Sequence, residues 1–463
     1  MNSKVNSHPE LASSIDFLSA WIESQMAYKG QPGISVGIVY DQELIWAKGF
    51  GVADLESKKQ ATSKTIYRIA SITKLFTSTA ILQLRDAGKL QLDDPVETHL
   101  PWFKVQNKHS YSPPVLIRHL ITHTSGLPRE SASPYWSTAD FPTYEQVREL
   151  LPEQELTLPT ETKWKYSNLA VSLAGEVVSA VSGMSYEEYV EQNILEPLGM
   201  ENTFVRTIDP ANPEFASGYG RRLPDNSRAI RPFGDCKGIS PAANMATNVE
   251  DLAKFAMLQF RDKPAGGDQI LSGFTLREMH SVHWLDPDWQ FGWGWGFKVT
   301  RLKGKTFAGH GGSLMGYRTE FQLCPEDKIG VIVLTNSDDG EPGVYAEKVF
   351  EWVGPEILKA LAPKPEKKAA DPAWDRYLGK YRSPWGDMQI MVYQGELVAV
   401  APAAPDPSID ITRLTPVADH TFRMKMKNGF GAHGELVVFE LDEEGNVERV
   451  KMGQNYSYPV SDW

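Results

Sequence analysis

The sequence predicts an α+β fold: an antiparallel sheet flanked by helices, with a large helical insertion, followed by a small C-terminal antiparallel β-barrel. Three observations carry this reading. Strand-like runs stand near both ends of the segment 1–362. Helical periods fill the middle, from about Ser71 to Leu258. Beyond APKPEKKAADP, Ala362 to Pro372, the pattern changes to short strands with glycine turns. Three regions are therefore expected: a first domain at 1–362, a linker at 363–372, and the barrel domain at 373–463.

Taken in order, the first element is an amphipathic helix on which Leu11, Ile15, Leu18 and Ile22 recur at helical spacing. PGISVGIVYDQELIWAKGFG then reads as a hairpin turning near Asp41 and Gln42. After Ser71, Ile72, Leu75, Phe76, Ala80, Ile81 and Leu84 mark a helix that Gly88 can stop. A second helical stripe, Leu169, Leu173, Val177, Ala180 and Val181, ends at Gly183. Strands return between Trp293 and Asn336. FQLCPEDKIGVIVLTNS is a strand pair turning at Pro325 to Lys328, with a buried apolar strand from Ile329 to Leu334. Trp293 and Trp295 alternate with glycines, and period two places both on one strand face. They read as core, with one of them able to line an acyl pocket. An amphipathic helix over about Tyr345 to Leu361 closes the domain. In the last segment, Gln394-Gly395 and Gly445-Asn446 mark hairpins, and Asp442 to Glu444 read as a solvated turn.

Composition bounds the function. The chain has 463 residues, 41% hydrophobic and 23% charged, enough for a sizeable core. Its net charge of −12 and the absence of a Lys/Arg-dense run argue against nucleic-acid binding. The two cysteines, Cys236 and Cys324, lie far apart and lack metal-ligand spacing, so two reduced thiols are expected. No apolar run is long enough to span a bilayer, and MNSKVNSHPELASS lacks a leader's apolar core. The expectation is a cytoplasmic chain with no membrane contact.

The chemistry gathers in three stretches. In RIASITKL, Ser71 and Lys74 stand three apart, on one helix face, beside unpaired N–H groups at a positive helix end. A serine attacks only if a base takes its proton, and a lysine is that base only when burial or nearby cations lower its pKa. The surroundings of Lys74 are apolar, and Arg68 is the only other charge in the stretch. The plainer alternative is an N-cap serine with a solvated lysine. In KWKYSNLAVSLAGE, Tyr166, Ser167 and Asn168 precede a helix on a loop that can face a cleft. A tyrosine there shuttles protons if a cation lowers its pKa, and an asparagine can hold a substrate amide and the lysine together. The alternative is a packed tyrosine and an N-cap asparagine. In TFAGHGGSLMGYRTEFQL, His310, Gly311, Gly312 and Ser313 enter a strand. The glycines allow a substrate backbone to lie along it. The Ser313 N–H can join that of Ser71 as an oxyanion hole. His310 can supply a charge or a hydrogen bond to a carboxylate, or be incidental to a glycine-rich turn.

In this order, S-x-x-K, Y-x-N and H-x-G resemble the serine β-lactamase and penicillin-binding-protein superfamily. RHLITHTSGLP, SGMSYEEYVEQNILEPLGMENT, NVEDLAKF and FGWGWGF resemble recurring segments of its class C-type esterase and D-peptidase branch. The likeness covers about residues 15–360. It implies that Ser71 becomes acylated and that Lys74 and Tyr166 share the base role. Asn168 would orient the acyl amide, and the N–H groups of Ser71 and Ser313 would hold the oxyanion. His310 and Gly312 complete the substrate wall, and no metal or organic cofactor is required. Antibiotic-degrading members carry Lys-Thr-Gly where this chain has His310-Gly311-Gly312. The departure favours an ester or an amide, such as a short or D-amino-acid peptide, as substrate. A β-lactamase or penicillin-binding D-Ala-D-Ala-type peptidase stays as the alternative, and a non-catalytic ligand sensor as a third. LGKYRS, Leu378 to Ser383, resembles lipocalin-like domains appended to such hydrolases, where the extra domain shapes the cleft or mediates homo-oligomers. His119 and His123 have a ligand-like spacing, but Leu120 follows the first where H-E-x-x-H needs glutamate, so a packing role is expected. His99, His109, His280, His283, His420 and His433 show no partner in the sequence. The loop from Arg129 to Thr143 is expected to border the cleft.

Overall fold

The structure is a computed structural model, and it describes residues 3–363, 369–406, 411–427 and 431–463. The chain divides after Ala362 into two compact units. Residues 364–368 of the expected linker lie outside the described residues, and a 3₁₀ turn already covers Pro372–Tyr377.

In the first unit the helix Pro9–Lys29 starts with proline at its first position and ends at Gly30, in a left-handed conformation with φ 62°. Its buried apolar residues are Leu11, Ile15, Leu18, Ile22 and Met26, spaced three or four apart. The hairpin β1 (Gly33–Tyr40) and β2 (Glu43–Gly51) turns at Asp41, which has a positive φ. A two-stranded ribbon pairs β3 (Tyr67–Arg68) with β4 (Ala246–Thr247). The sheet resumes with β5 (Trp284–Leu285), β6 (Gly292–Trp293), β7 (Lys298–Leu302), β8 (Lys305–Leu314), β9 (Tyr317–Cys324) and β10 (Ile329–Thr335). Its order is β2-β1-β10-β9-β8-β7-β6-β5, so the first and last strands of the unit are neighbours, Val36 opposite Val333.

The two faces of this sheet bury different helices. Ile34, Val36, Ile38, Val331 and Val333 pack against the first helix and against Tyr345, Val349, Val353 and Ile357. Val39, Ile332 and Leu334 pack against the helical insertion. At about 1.5–3 kcal/mol for each fully buried large aliphatic side chain, these two seams dominate the stabilisation of the unit. The last helix differs from the expected Tyr345 to Leu361. It begins at Pro342, and its turns widen over Val349–Val353 before Gly354–Leu361. Pro355 has no N–H to give to Glu351, and the wider turn absorbs the missing bond. Glu191–Leu195 widens in the same way ahead of Pro197.

A second difference concerns the tryptophans. Strand β6 ends at Trp293, and Gly296 takes φ 82°, so Trp293 and Trp295 do not share a face. Trp295 stacks on His283 at 3.6 Å, whereas Trp293 meets His123 and Trp164, both at 5.0 Å.

The second unit is a closed barrel of eight antiparallel strands: β11 (Gly379–Ser383), β12 (Gly386–Tyr393), β13 (Glu396–Val400), β14 (Thr412–Ala418), β15 (Thr421–Lys425), β16 (Leu436–Leu441), β17 (Val447–Met452) and β18 (Asn455–Val460). Consecutive strands are neighbours, and β11 pairs with β18 to close it. Tyr377, Tyr381, Phe422, Phe439 and Val450 belong to its buried core. Gln394 and Gly395 both have positive φ, as a two-residue hairpin turn requires. Asp442 accepts from the N–H groups of Glu444 and Asn446, which builds the other expected turn. No single helix among the described residues is long and apolar enough to cross a membrane.

Candidate active site

Ser71 lies on a 3₁₀ turn, Ala70–Ile72, that runs into the helix Thr73–Asp86. It is therefore not the N-cap of a surface helix. Ala70 holds φ 49°, a left-handed conformation costing about 1–2 kcal/mol for a residue with a Cβ. Neighbouring chains hold that turn. The Ile69 N–H donates to Met245 O at 2.9 Å, and Thr319 Oγ1 donates to Ile69 O at 3.1 Å. The apolar face of the helix, with Leu75, Phe76, Ile81 and Leu84, is fully or almost fully buried.

Lys74 is 1% exposed. Its Nζ has three neighbours: Ser71 Oγ at 3.1 Å, Asn168 Oδ1 at 2.8 Å and Ala242 O at 2.8 Å. Burial lowers its pKa from 10.5 to about 7, opposed by the Glu130 carboxylate and aided by Arg129. Tyr166 donates its hydroxyl proton to Ser71 Oγ at 2.8 Å. Its ring has Lys74 Nζ and the Arg129 guanidinium each 4.9 Å from the centroid. These cations do not bring its pKa down: burial raises it well above 10, and the bond to Ser71 and Arg129 only partly counter this. The condition set for a proton-shuttling tyrosine, a pKa lowered by a cation, is therefore not met, and burial favours the protonated phenol.

Ser167, not Asn168, is the N-cap of the helix Asn168–Ser182, accepting from Ala170 N at 2.9 Å. Asn168 opens the helix, and its amide is oriented by a residue that the sequence did not single out. Glu130 accepts two bonds from Asn168 Nδ2, at 2.9 and 3.1 Å, and a further one from the Tyr135 hydroxyl. A carboxylate only accepts, so it fixes Nδ2 on its own side and turns Oδ1 toward Lys74. The sole sequence signal for Glu130 was its place in the loop from Arg129 to Thr143.

The third stretch lies within β8. Pairing of β8 with β7 ends at Gly309, so residues 310–314 keep one free edge. Gly312 lies against the turn before Ser71: a Cβ there would come 2.2 Å from Ile69 O. Ser313 is exposed. His310 is buried, shares a 2.6 Å hydrogen bond between Nδ1 and Gly311 O, and leaves Nε2 without a partner. Burial, then the charge of Lys74, lower its pKa to about 3. Of the two roles open to His310, a charge or a hydrogen bond, the lowered pKa favours the neutral, hydrogen-bonding ring. Ser71, Tyr166, Asn168, Glu130, His310, Gly312 and Ser313 border one cleft of about 760 Å³, and Lys74 lies buried behind Ser71.

His119 and His123 are packing residues. His119 Nδ1 accepts from Leu116 N at 3.0 Å, at the start of a short helix. His123 lies 4.4 Å from the Tyr166 ring and accepts from Ser167 N. Among the described residues no three His, Cys, Asp or Glu side chains gather as a metal would need. Other histidines gain partners that the sequence did not disclose: His99 with Asp94 at 2.8 Å, and His420 with Tyr377 at 2.6 Å. Cys236 and Cys324 are buried and free.

Comparison with known proteins agrees with this architecture. The Beta-lactamase family model matches residues 18–351, and a domain of unknown function (DUF3471) matches 362–461. "Beta-lactamase-like protein 2" of Dictyostelium discoideum is 27% identical over 95% of this chain and 85% of its own length. "Protein flp" of Staphylococcus aureus is 27% identical over 71% of this chain, which spans 63% of that protein. The octameric penicillin-binding protein homologue from Pyrococcus abyssi superposes with a TM-score of 0.64 at 26% identity, covering 96% of this chain and 99% of the other. With residues 18–351, most of the first unit, matched by the family model, the chain belongs to the Beta-lactamase family.

Proposed function

We propose that this chain is a serine hydrolase that cleaves an ester or an amide, such as a short or D-amino-acid peptide, through an acyl-enzyme on Ser71. One observation carries the reading. Ser71 Oγ is held at once by Lys74 Nζ at 3.1 Å and the Tyr166 hydroxyl at 2.8 Å, inside a cleft, beside a lysine tuned to about 7.

The hydrogen-bond directions define the proton path. Asn168 Oδ1 and Ala242 O can only accept, so the two N–H bonds of a neutral Lys74 point at them. Its lone pair then faces Ser71 Oγ–H. As Oγ attacks the carbonyl carbon, its proton passes to Nζ. The backbone N–H groups of Ser71 and Ser313 receive the developing oxyanion, a contribution of about 3–4 kcal/mol for a well-placed donor. The leaving group takes its proton from the Tyr166 hydroxyl, and the ammonium left on Lys74, 4.9 Å from the Tyr166 ring centroid, returns the proton to the resulting phenolate. A tyrosinate base is disfavoured, since burial holds the phenol protonated. In the second half a water attacks the acyl carbon, its proton follows the same path, and Ser71 is released.

The neutral His310 supports esters and amides without a carboxylate over β-lactams, whose carboxylate calls for a cation at this position. Intact motifs weigh against a non-catalytic sensor. By likeness to the octameric homologue, a homo-oligomer is the proposed assembly. The test is hydrolysis of p-nitrophenyl esters, D-amino-acid amides and a chromogenic cephalosporin by wild type and Ser71→Ala. Ester or amide turnover that vanishes in the variant supports the reading. Turnover retained in Ser71→Ala overturns it, and cephalosporin hydrolysis at rates matching the ester overturns the substrate ranking.

A further inference from the structure

One carboxylate on the cleft wall has no role in that chemistry. Glu320 on β9 stands opposite Gly311 in the β8–β9 ladder, so the two share a sheet face. With no side chain at Gly311, the carboxylate fits over that residue: a Cβ there would lie 3.0 Å from Glu320 Oε2, and one at Gly343 would lie 3.8 Å from it. Glu320 and Gly343 border the cleft that holds Ser71 and also a second cavity of about 440 Å³, lined by Phe307 and Phe350. The carboxylate therefore stands where the two spaces meet.

The other charged groups of the cleft wall have partners. Arg129 Nε lies 3.2 Å from Glu130 Oε1, and Glu130 also takes the Asn168 amide. Arg318 Nε donates to Asp338 O at 3.0 Å. Glu320 has neither a hydrogen bond nor an ion pair within 4.0 Å among the described residues. Burial pushes its carboxyl up to about 7, and only Lys298 pulls it down. The Glu320 side chain is half-buried on the cleft wall, and a carboxylate there without a partner favours a cation brought by a ligand.

We propose that Glu320 is a substrate-binding residue whose carboxylate receives a positively charged group of the substrate, of the class of the free ammonium of an amino-acid amide or short peptide. This rests on the serine-hydrolase reading and names the substrate class of that site.

The test compares D-alanine p-nitroanilide with N-acetyl-D-alanine p-nitroanilide, which differ in the ammonium charge. Wild type is expected to prefer the free amine at least tenfold in kcat/KM, and Glu320→Gln is expected to bring that ratio near one. For a probe turned over too slowly, protection of Ser71 from a fluorescent fluorophosphonate by D-alaninamide against N-acetyl-D-alaninamide reads the same ratio as binding. A ratio near one in wild type, or a ratio that survives Glu320→Gln, overturns the proposal. Survival there with loss in Glu130→Gln would place the ammonium on Glu130 instead. Ser71-dependent hydrolysis without amine preference sinks only the Glu320 inference. Hydrolysis that persists in Ser71→Ala, or neither labelling nor turnover in wild type, sinks both.

Discussion

Under the proposed mechanism Lys74 sets the pH at which Ser71 is acylated, and its lowered pKa gives the size of the effect. An ordinary lysine at pH 7 is neutral in about one molecule in 3,000. With its pKa lowered from 10.5 to about 7, Lys74 is neutral in about half. The active base is thus about a thousandfold more abundant than in a solvated lysine. The assay is the second-order rate of Ser71 modification by a fluorophosphonate between pH 5 and 9, which avoids any later turnover step. The rate is expected to rise about tenfold per pH unit up to about 7 and then flatten, because only the neutral amine accepts the proton. Lys74→Arg, which stays protonated throughout, is expected to lose about two to four orders of magnitude and to show no limb. A flat wild-type profile, or a limb centred above pH 9, would refute the reasoning. The same shift acts on stability. Between about 7 and 10.5 the unfolded chain binds one more proton at this position than the folded chain, so wild-type stability rises with pH there. The stability of Lys74→Met relative to wild type, followed by denaturant titration, should therefore be higher at pH 7 than at pH 10. The change is on the order of 1 kcal/mol per pH unit.

Tyr166→Phe removes the hydroxyl that bonds Ser71 Oγ and that the proposed mechanism uses to protonate the leaving group. Its kcat for an amide should fall about 100-fold or more, with a smaller loss for a p-nitrophenyl ester, whose leaving group needs no proton. Glu130→Gln removes the charge that holds the Lys74 pKa up, so the acylation limb should move to lower pH; a limb that moves up would contradict the assigned electrostatics. Gly312→Ala puts a Cβ 2.2 Å from Ile69 O, two residues before Ser71, and should cut Ser71 labelling at least 100-fold; near-normal labelling would show that the turn can yield.

Much of this was legible in the sequence, for reasons that differ by residue. Ser71 and Lys74 were found because a spacing of three on a helix is a contact in itself, independent of the rest of the chain. The first helix and the strand from Ile329 to Leu334 were found because burial imposes a period or an apolar run. Glu130 escaped because its contact with Asn168 spans 38 residues and arises from a loop without periodicity. Its function belongs to the folded cleft. Tyr166 and His310 meet at the same cleft, and their protonation depends on burial, which no spacing reveals. Trp293 and Trp295 are buried as expected, but they do not share a face because a two-residue strand cannot sustain the alternation that glycines at 292, 294 and 296 suggest. The widened helix before Pro355 follows from a missing N–H, a cue present in the sequence but outweighed there by the amphipathic period.

The acyl-enzyme on Ser71 is tested most directly by rapid acid quench and intact mass after mixing the protein with a D-amino-acid ester, an acyl ester and a penicillin in turn, followed by peptide mapping. The account expects an added mass equal to the acyl group, mapped to Ser71, for the esters, and none in Ser71→Ala. An adduct on any other residue, or ester turnover without an adduct under conditions where acylation is fast, would contradict it.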